Sequence, residues 1–292
     1  MNIDANTVKE LRELTGAGMM DCKKALVETQ GNIDAAVDLL RKKGVAKAAK
    51  TADRTAAEGI VLIKTSSDGH SAAIVEINSE TDFVARDVHF KEYAEKVVDN
   101  ALNNGTNDVT TLLETKIEGQ TLEEMCKQLI AKIGEKISVR RVAFYKTTNH
   151  LGTYIHGGRI GTIVEITGGD AALAKDVAMH IAASRPQVVN PDQVPAALVE
   201  KEKEIYTAKA NESGKPAAII EKMIAGQIKK FVDDVSLIGQ PFVKDPSVTV
   251  GALLKEKHAI ANKFVCFAVG EGIEKKEENF REEVMAQVKR TS

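Results

Sequence analysis

Apolar residues recur along this chain with two periods, and each change of period marks an element. Ala72, Ala73, Ile74, Val75 and Ile77 form a run rich in β-branched side chains, the pattern of a buried strand. Phe90, Tyr93, Ala94, Val97 and Val98 then recur at three and four residues, the stripe of an amphipathic helix. Between them lies a polar tip, Asn78-Ser79-Glu80-Thr81-Asp82-Phe83-Val84-Ala85-Arg86-Asp87, which sets an acid beside a large ring. Upstream, residues 59–64 and an Asp68-Gly69 turn complete a hairpin with the first run.

The same reading extends in both directions. Residues 1–44 predict three short helices, lined by Val8, Leu11 and Leu14, by Met20, Ala25 and Leu26, and by Ile33, Ala36, Val37 and Leu40. Gly44 is expected to close the third, and the Ala- and Lys-rich residues 46–57 read as a solvated linker, helical in part. Leu122, Met125, Cys126, Leu129, Ile130 and Ile133 line a further helix. Residues 137–144 read as a strand with Arg140 and Arg141 on its solvated side or end. A second hairpin spans 152–163, and a helix follows over 171–184. Pro186, Pro191 and Pro195 then introduce two helices over 196–209 and about Ile219 to Phe231, an antiparallel helical hairpin. A short helix carries Leu253 and Leu254, and residues 263–269 read as a strand that completes the second α+β unit around the inserted hairpin. The tail spaces Ile273, Phe280, Val284 and Val288 on one face of a charged helix, suited to docking on its own chain or on a partner.

The chain also repeats itself. Ile74-Val75-Glu76-Ile77 returns as Ile163-Val164-Glu165-Ile166, and Ala85-Arg86-Asp87-Val88 as Ala174-Lys175-Asp176-Val177, both at an offset of 89 (74 to 163, 85 to 174). The second loop reads Gly169-Asp170-Ala171-Ala172, so the scaffold can be built without Thr-Asp-Phe. Local spacing allows Thr81 or Asp82 to cap the following helix with Phe83 tucked beneath it; the repeat argues that the ring serves something other than folding. Met19 and Met20, beside a Gly-rich turn, fit either core filling or an adaptable contact surface. His156, at the Gly157-Gly158 turn, reads as an ordinary exposed polar residue or a functional one.

Composition narrows the classes. A chain of 292 residues calls for two or more domains, and a net charge of −2 gives no general attraction to nucleic acid or anionic lipid. With no Trp and 4% aromatics, little is available for base stacking. Cys22, Cys126 and Cys266 form no metal-ligand spacing and suit a reducing compartment. No run approaches a membrane span, and the start lacks a signal-type apolar core, so a soluble intracellular protein is expected. There is no Gly-x-Ser-x-Gly elbow, no His-Glu-x-x-His and no phosphate-cradling lysine loop, and the six histidines are scattered. These residues describe a multi-domain interaction protein rather than an enzyme.

Several segments together carry a resemblance: residues 7–12 (TVKELR), 15–26 (TGAGMMDCKKAL), Thr81-Asp82-Phe83-Val84-Ala85, 131–135 (AKIGE), 156–161 (HGGRIG), 239–243 (GQPFV) and 269–274 (VGEGIE). Along essentially its whole length the chain resembles the bacterial elongation factor Ts family, the nucleotide exchange factors for elongation factor Tu. The resemblance implies an α+β fold: a ubiquitin-associated-like three-helix domain (1–45), a linker (46–57), a duplicated α+β core (58–148, then 149–186 with 236–270), an inserted helical coiled coil (187–235) and a C-terminal helical module (271–292). It implies that Thr81, Asp82, Phe83 and Val84 enter the partner GTPase and dislodge its Mg²⁺. It implies further contacts with the GTPase domain from Met19, Met20 and the C-terminal helix bearing Phe280, with the second core subdomain meeting another domain of the partner and His156 near the nucleotide site. It implies no catalytic residue, metal or cofactor of the chain's own, and no direct nucleic acid or membrane contact. It is compatible with a homodimer or an assembly of two copies of each protein, in a bacterial cytoplasm. The competing class is a binding adaptor that recruits partners through the three-helix domain without exchange activity.

Overall fold

In the computed structural model, which describes residues 3–211 and 216–274, the chain opens with three helices. α1 (Ala5–Thr15) stops where Gly16 turns left-handed (φ 64°) and returns its N–H to the Arg12 carbonyl. α2 (Met19–Glu28) and α3 (Ile33–Thr51) come next, the latter capped by the Asn32 side chain on the Ala35 N–H. Val8, Leu11, Cys22, Ala25, Leu26 and Ala36 make the small core.

Here one expectation is corrected. The third helix does not stop at Gly44; it continues to Thr51, so residues 46–51 are the helical part of the stretch read as linker. A Cβ on Gly44 would lie 3.2 Å from the Ala131 Cβ, so the glycine permits a close helix crossing rather than a cap. Lys47 Nζ then donates to the Ala131 carbonyl at 2.6 Å.

β1 (Glu58–Thr65) and β2 (Ser71–Ser79) form the expected antiparallel hairpin. α4 (Asp82–Arg86) is a short turn of helix, and Asp87 breaks it to cap α5 (Val88–Asn104) through the His89 and Phe90 N–H groups. α6 (Val109–Glu114) and a two-residue ladder, β3 (Lys116–Ile117) with β4 (Gln120–Thr121), lead to α7 (Leu122–Ile133), which starts on a Thr121/Glu124 capping box. β5 (Ile137–Lys146) then pairs with β2, giving the sheet order β1-β2-β5. One face of this sheet meets α5 and α7 over Val75, Ile77, Phe90, Val97 and Leu129.

The second half has the same order. β6 (His150–His156) and β7 (Ile160–Thr167) form a hairpin, and α8 (Ala171–Ser184) crosses over them. α9 (Ala196–Asn211) and α10 (Ala217–Val235) pack on each other as a projecting pair. A small ladder of β8 (Pro241–Phe242) and β9 (Asp245–Thr249) and a short α11 (Val250–Glu256) lead to β10 (Ile260–Ala268), which pairs with β7. The second sheet is therefore β6-β7-β10, matching β1-β2-β5.

The two sheets meet through their remaining faces, where Val61, Ala72, Ile74, Tyr145, Ile163 and Phe267 are buried together. A Cβ on Gly161 would stand 2.5 Å from a Val61 methyl, so the approach requires glycine there. Arg140 and Arg141, expected on the solvated side or end of the strand, instead turn inward to Glu76. The β2–β5 register slips by one residue after Glu76, and this bulge lets both arginines reach that fully buried carboxylate, at 3.1 and 2.5 Å.

Candidate partner-binding surface

The loop after β2 is held at its base and open at its tip. Thr81 caps α4, its hydroxyl accepting from the Val84 N–H at 3.4 Å, so the capping reading is right for this residue. Val84, grouped by the resemblance with the contact residues, is turned into the core and anchors the loop from below. Phe83 is not tucked under the helix; 79% of it is exposed. Asp82 pairs with Arg86 at 2.8 Å, one helical turn on, and both are open to solvent. Of the four expected contact residues, two thus face outward and two secure the loop.

The base is clamped to the turn before β5. Glu135 accepts from the Thr81 N–H at 3.0 Å and from the Thr81 hydroxyl at 2.8 Å. Glu80 reciprocates by accepting the Lys136 N–H at 2.5 Å, and Arg54 reaches Glu80 at 3.3 Å and the Gly134 carbonyl at 3.4 Å. Sequence reasoning assigned none of these roles. Residues 54 positions apart meet here only because β5 pairs with β2, which no local pattern encodes.

An open cleft of about 790 Å³ runs from Asp82, Phe83 and Arg86 past Lys91 to Arg159 and the Gly157–Gly158 turn. His156, at the start of that turn, is exposed and its Nδ1 lies 3.4 Å from the Tyr154 hydroxyl. Its turn therefore borders the same cleft as Phe83. In the first bundle Met19 and Met20 are 50% and 62% exposed, and the neighbouring Leu14 is exposed too. The core-filling reading of the methionines is corrected, since Cys22, Ala25 and Leu26 occupy the interior of α2. The Thr15–Gly16 turn borders another cleft with His89 and Glu92 of α5, the helix after the Phe83 loop. Phe280, Val284 and Val288 lie outside the described residues.

Titratable groups elsewhere serve the interior. Burial pushes the Cys126 thiol up to about 11, so it is not a thiolate at neutral pH. Burial alone would raise the Glu76 carboxyl, but the Gly270 N–H, Arg141 and Asn78 outweigh it and hold it below the ordinary value. Among the described residues no group of three or more His, Cys, Asp or Glu is placed to hold a metal ion, and no helix is long and apolar enough to cross a membrane.

An aromatic ring and an ion pair, displayed on a loop that is braced from beneath, are the equipment of a protein that works by docking on another macromolecule. The family model described as elongation factor TS matches residues 80–271. The chain is 56% identical over 290 residues to the elongation factor Ts of Alkalilimnicola ehrlichii, covering 99% of each. It is 56% identical over 288 residues to those of Idiomarina loihiensis (99% of this chain, 98% of the relative) and Legionella pneumophila (98% and 99%). The chain belongs to the elongation factor Ts family.

Proposed function

We propose that this chain is the guanine nucleotide exchange factor for elongation factor Tu in a bacterial cytoplasm, acting by docking rather than by covalent chemistry. The observation that carries the reading is Phe83, a large apolar ring displayed to solvent on a clamped loop. Exposed rings of this kind are the anchors that fill a partner's pocket.

The mechanism is a coupling of binding energies. The partner's Mg²⁺ demands near-octahedral geometry and bridges protein and phosphate oxygens, so small displacements of its ligands weaken nucleotide binding. In this reading Phe83 wedges between elements of the GTPase, and Asp82 enters beside it as a charge that disfavours the metal's ligand arrangement. Thr81 and Val84 hold the wedge from behind. Met19, Met20 and the His156 turn supply further docking area, and Phe280 adds to it. The coupling is reciprocal: weakening GDP on the partner means that GDP weakens this chain on the partner by the same factor. Release is accelerated without choosing the incoming nucleotide, and the cellular excess of GTP gives the direction.

Mixing the chain with elongation factor Tu loaded with fluorescent GDP and following release by stopped flow tests this. Release well above the spontaneous rate is expected. A spontaneous rate in the presence of a folded chain that binds the GTPase would favour a plain adaptor and overturn the exchange reading.

A further inference from the structure

The clamp beneath Phe83 is larger than the fold requires. The second repeat supplies the control, because Asp170 there caps α8 on the Leu173 N–H at 2.7 Å just as Thr81 caps α4 on Val84. Leu173 is buried as Val84 is. A cap and one buried side chain are thus enough to start the crossing helix. In that repeat the place of the clamp is taken by bare backbone: a Cβ on Gly168 would lie 2.3 Å from the His258 carbonyl oxygen. Among the described residues, only the repeat with the exposed ring carries a carboxylate across its loop.

We infer that Glu135 is a positioning residue for the exchange wedge, aiming the Phe83 ring by holding Thr81 at two atoms; this rests on the exchange reading above. With 79% of its surface exposed, the Phe83 ring has little packing to fix it, so the backbone of 79–84 sets where it points. Glu135 acts on that backbone twice. One oxygen takes the Thr81 N–H, fixing the extended residue that precedes α4 (φ −120°, ψ 157°). The other takes the hydroxyl proton, which leaves the Thr81 oxygen's lone pairs facing the Val84 N–H. The reciprocal bond from Lys136 N–H to Glu80 and the Ser79 hydroxyl on the Thr81 carbonyl close the remaining freedom of the loop. A loop prepared in this way meets its partner without ordering itself first, which favours the step in which the ring does its work.

The test is a two-by-two set in the full chain, Glu135→Ala with and without Phe83→Ala, measured as release of fluorescent GDP from elongation factor Tu over a range of concentrations. Glu135→Ala is expected to lower the maximal release rate about tenfold, as misplacement of a positioned group does, with a smaller change in the half-saturating concentration. In the Phe83→Ala background it should add almost nothing, because there is no ring left to aim. Glu135→Gln keeps one acceptor and is expected to fall between wild type and Glu135→Ala, with an unchanged melting temperature. Wild-type rates for Glu135→Ala, or the same fold loss in both backgrounds, would overturn the positioning role. Spontaneous release with the wild-type chain would instead overturn the exchange reading, and the positioning role with it.

Discussion

Thr81 and Asp170 stand at the same step of the two repeats, each capping a helix whose first buried residue, Val84 or Leu173, comes three positions later. Beyond that buried residue the copies diverge. In the second repeat α8 runs unbroken through Asp176, whereas in the first the matching Asp87 stops α4 and starts α5 afresh. The break sets Phe83 on its own short helix, apart from the long one that packs the sheet, while Ala172 is simply the exposed first turn of α8. The interior shows the same divergence. Glu76 and Glu165 face matching bulges in β5 and β10, but Glu76 meets two arginines and is fully buried, and Glu165 meets Asn262, Lys263, Thr147 and Asn149 nearer the surface. Across the sheet interface the exchange is mutual: Arg141 lies 4.4 Å over the Phe267 ring, and Lys263 lies 4.6 Å over the Tyr145 ring. One plan therefore serves two ends, a first copy hardened inside and armed outside, and a second copy left nearer the plain scaffold.

The most severe way to break this comparison is Glu76→Ala. It strands two partly buried guanidinium groups, and a loss of about 3 kcal/mol is expected, the scale for removing one partner of a buried pair. Glu165→Ala should lose about half as much, since its partners are mostly neutral and closer to water. Urea unfolding of both variants measures the difference, and equal losses would show that the two carboxylates are equivalent.

Next in size is the exposed ring. Phe83→Ala should slow GDP release by a barrier increase of about 2 kcal/mol, the loss typical of a truncated anchor, with the melting temperature unchanged. Ala172→Phe, placing a ring on the second loop, should change stability by no more than about 0.5 kcal/mol and add no exchange activity. If Phe83→Ala leaves release at the wild-type rate, the ring has no part in the partner's nucleotide site.

Acid acts on both copies in the same direction. Both glutamates sit below their ordinary value of 4.5 in the folded chain, Glu76 despite burial that would raise it, and Glu165 likewise through Asn149, Thr147 and Asn262. Each therefore stabilises the fold above that value, and the contribution is lost as pH falls through the depressed folded value. Melting curves taken at successively lower pH should flatten on Glu76→Gln; an unaltered acid slope would mean that this carboxylate does not titrate with unfolding.

The smallest effect should come from Arg86→Ala, which removes the exposed pair with Asp82 that Ala171 and Lys175 cannot form in the other copy. A stability change below about 0.5 kcal/mol is expected, as for surface ion pairs generally. A larger loss in thermal melting would mean that the pair supports α4.

Much of the fold is legible in the sequence, for reasons that differ by element. The β-branched runs at 74–77 and 163–166 announce central strands, and the Asp68-Gly69 turn needs the left-handed φ of 73° that glycine tolerates. Phe83 stands out because the repeat offers a version of the loop without it. Gly44 misleads because a glycine that ends a helix and one that admits a crossing neighbour look the same along the chain; only Ala131 distinguishes them. Arg140 and Arg141 mislead because a bulge breaks the alternation on which inside and outside are assigned. Glu135 is out of reach for a simpler reason: its meaning lies in Thr81, and only the pairing of β5 with β2 brings them together.

The bond from the Gly270 N–H to Glu76 spans 194 residues. On a ribosome, elongation at about 5–20 residues per second puts roughly 10–40 seconds between the two ends of that bond. The first hairpin and its helices close early, through short loops. The edge of β7 that β10 will occupy must wait for α8 to α11 to be made, and an unpaired strand edge beside an apolar face invites association with other chains. Arg141 of β5 waits for Glu271 and Ala268 over a shorter stretch, 130 and 127 residues. Shortening the projecting α9–α10 pair would therefore do more than trim a surface: it would hasten the arrival of the final strand and narrow the period in which the growing chain is open to misassembly.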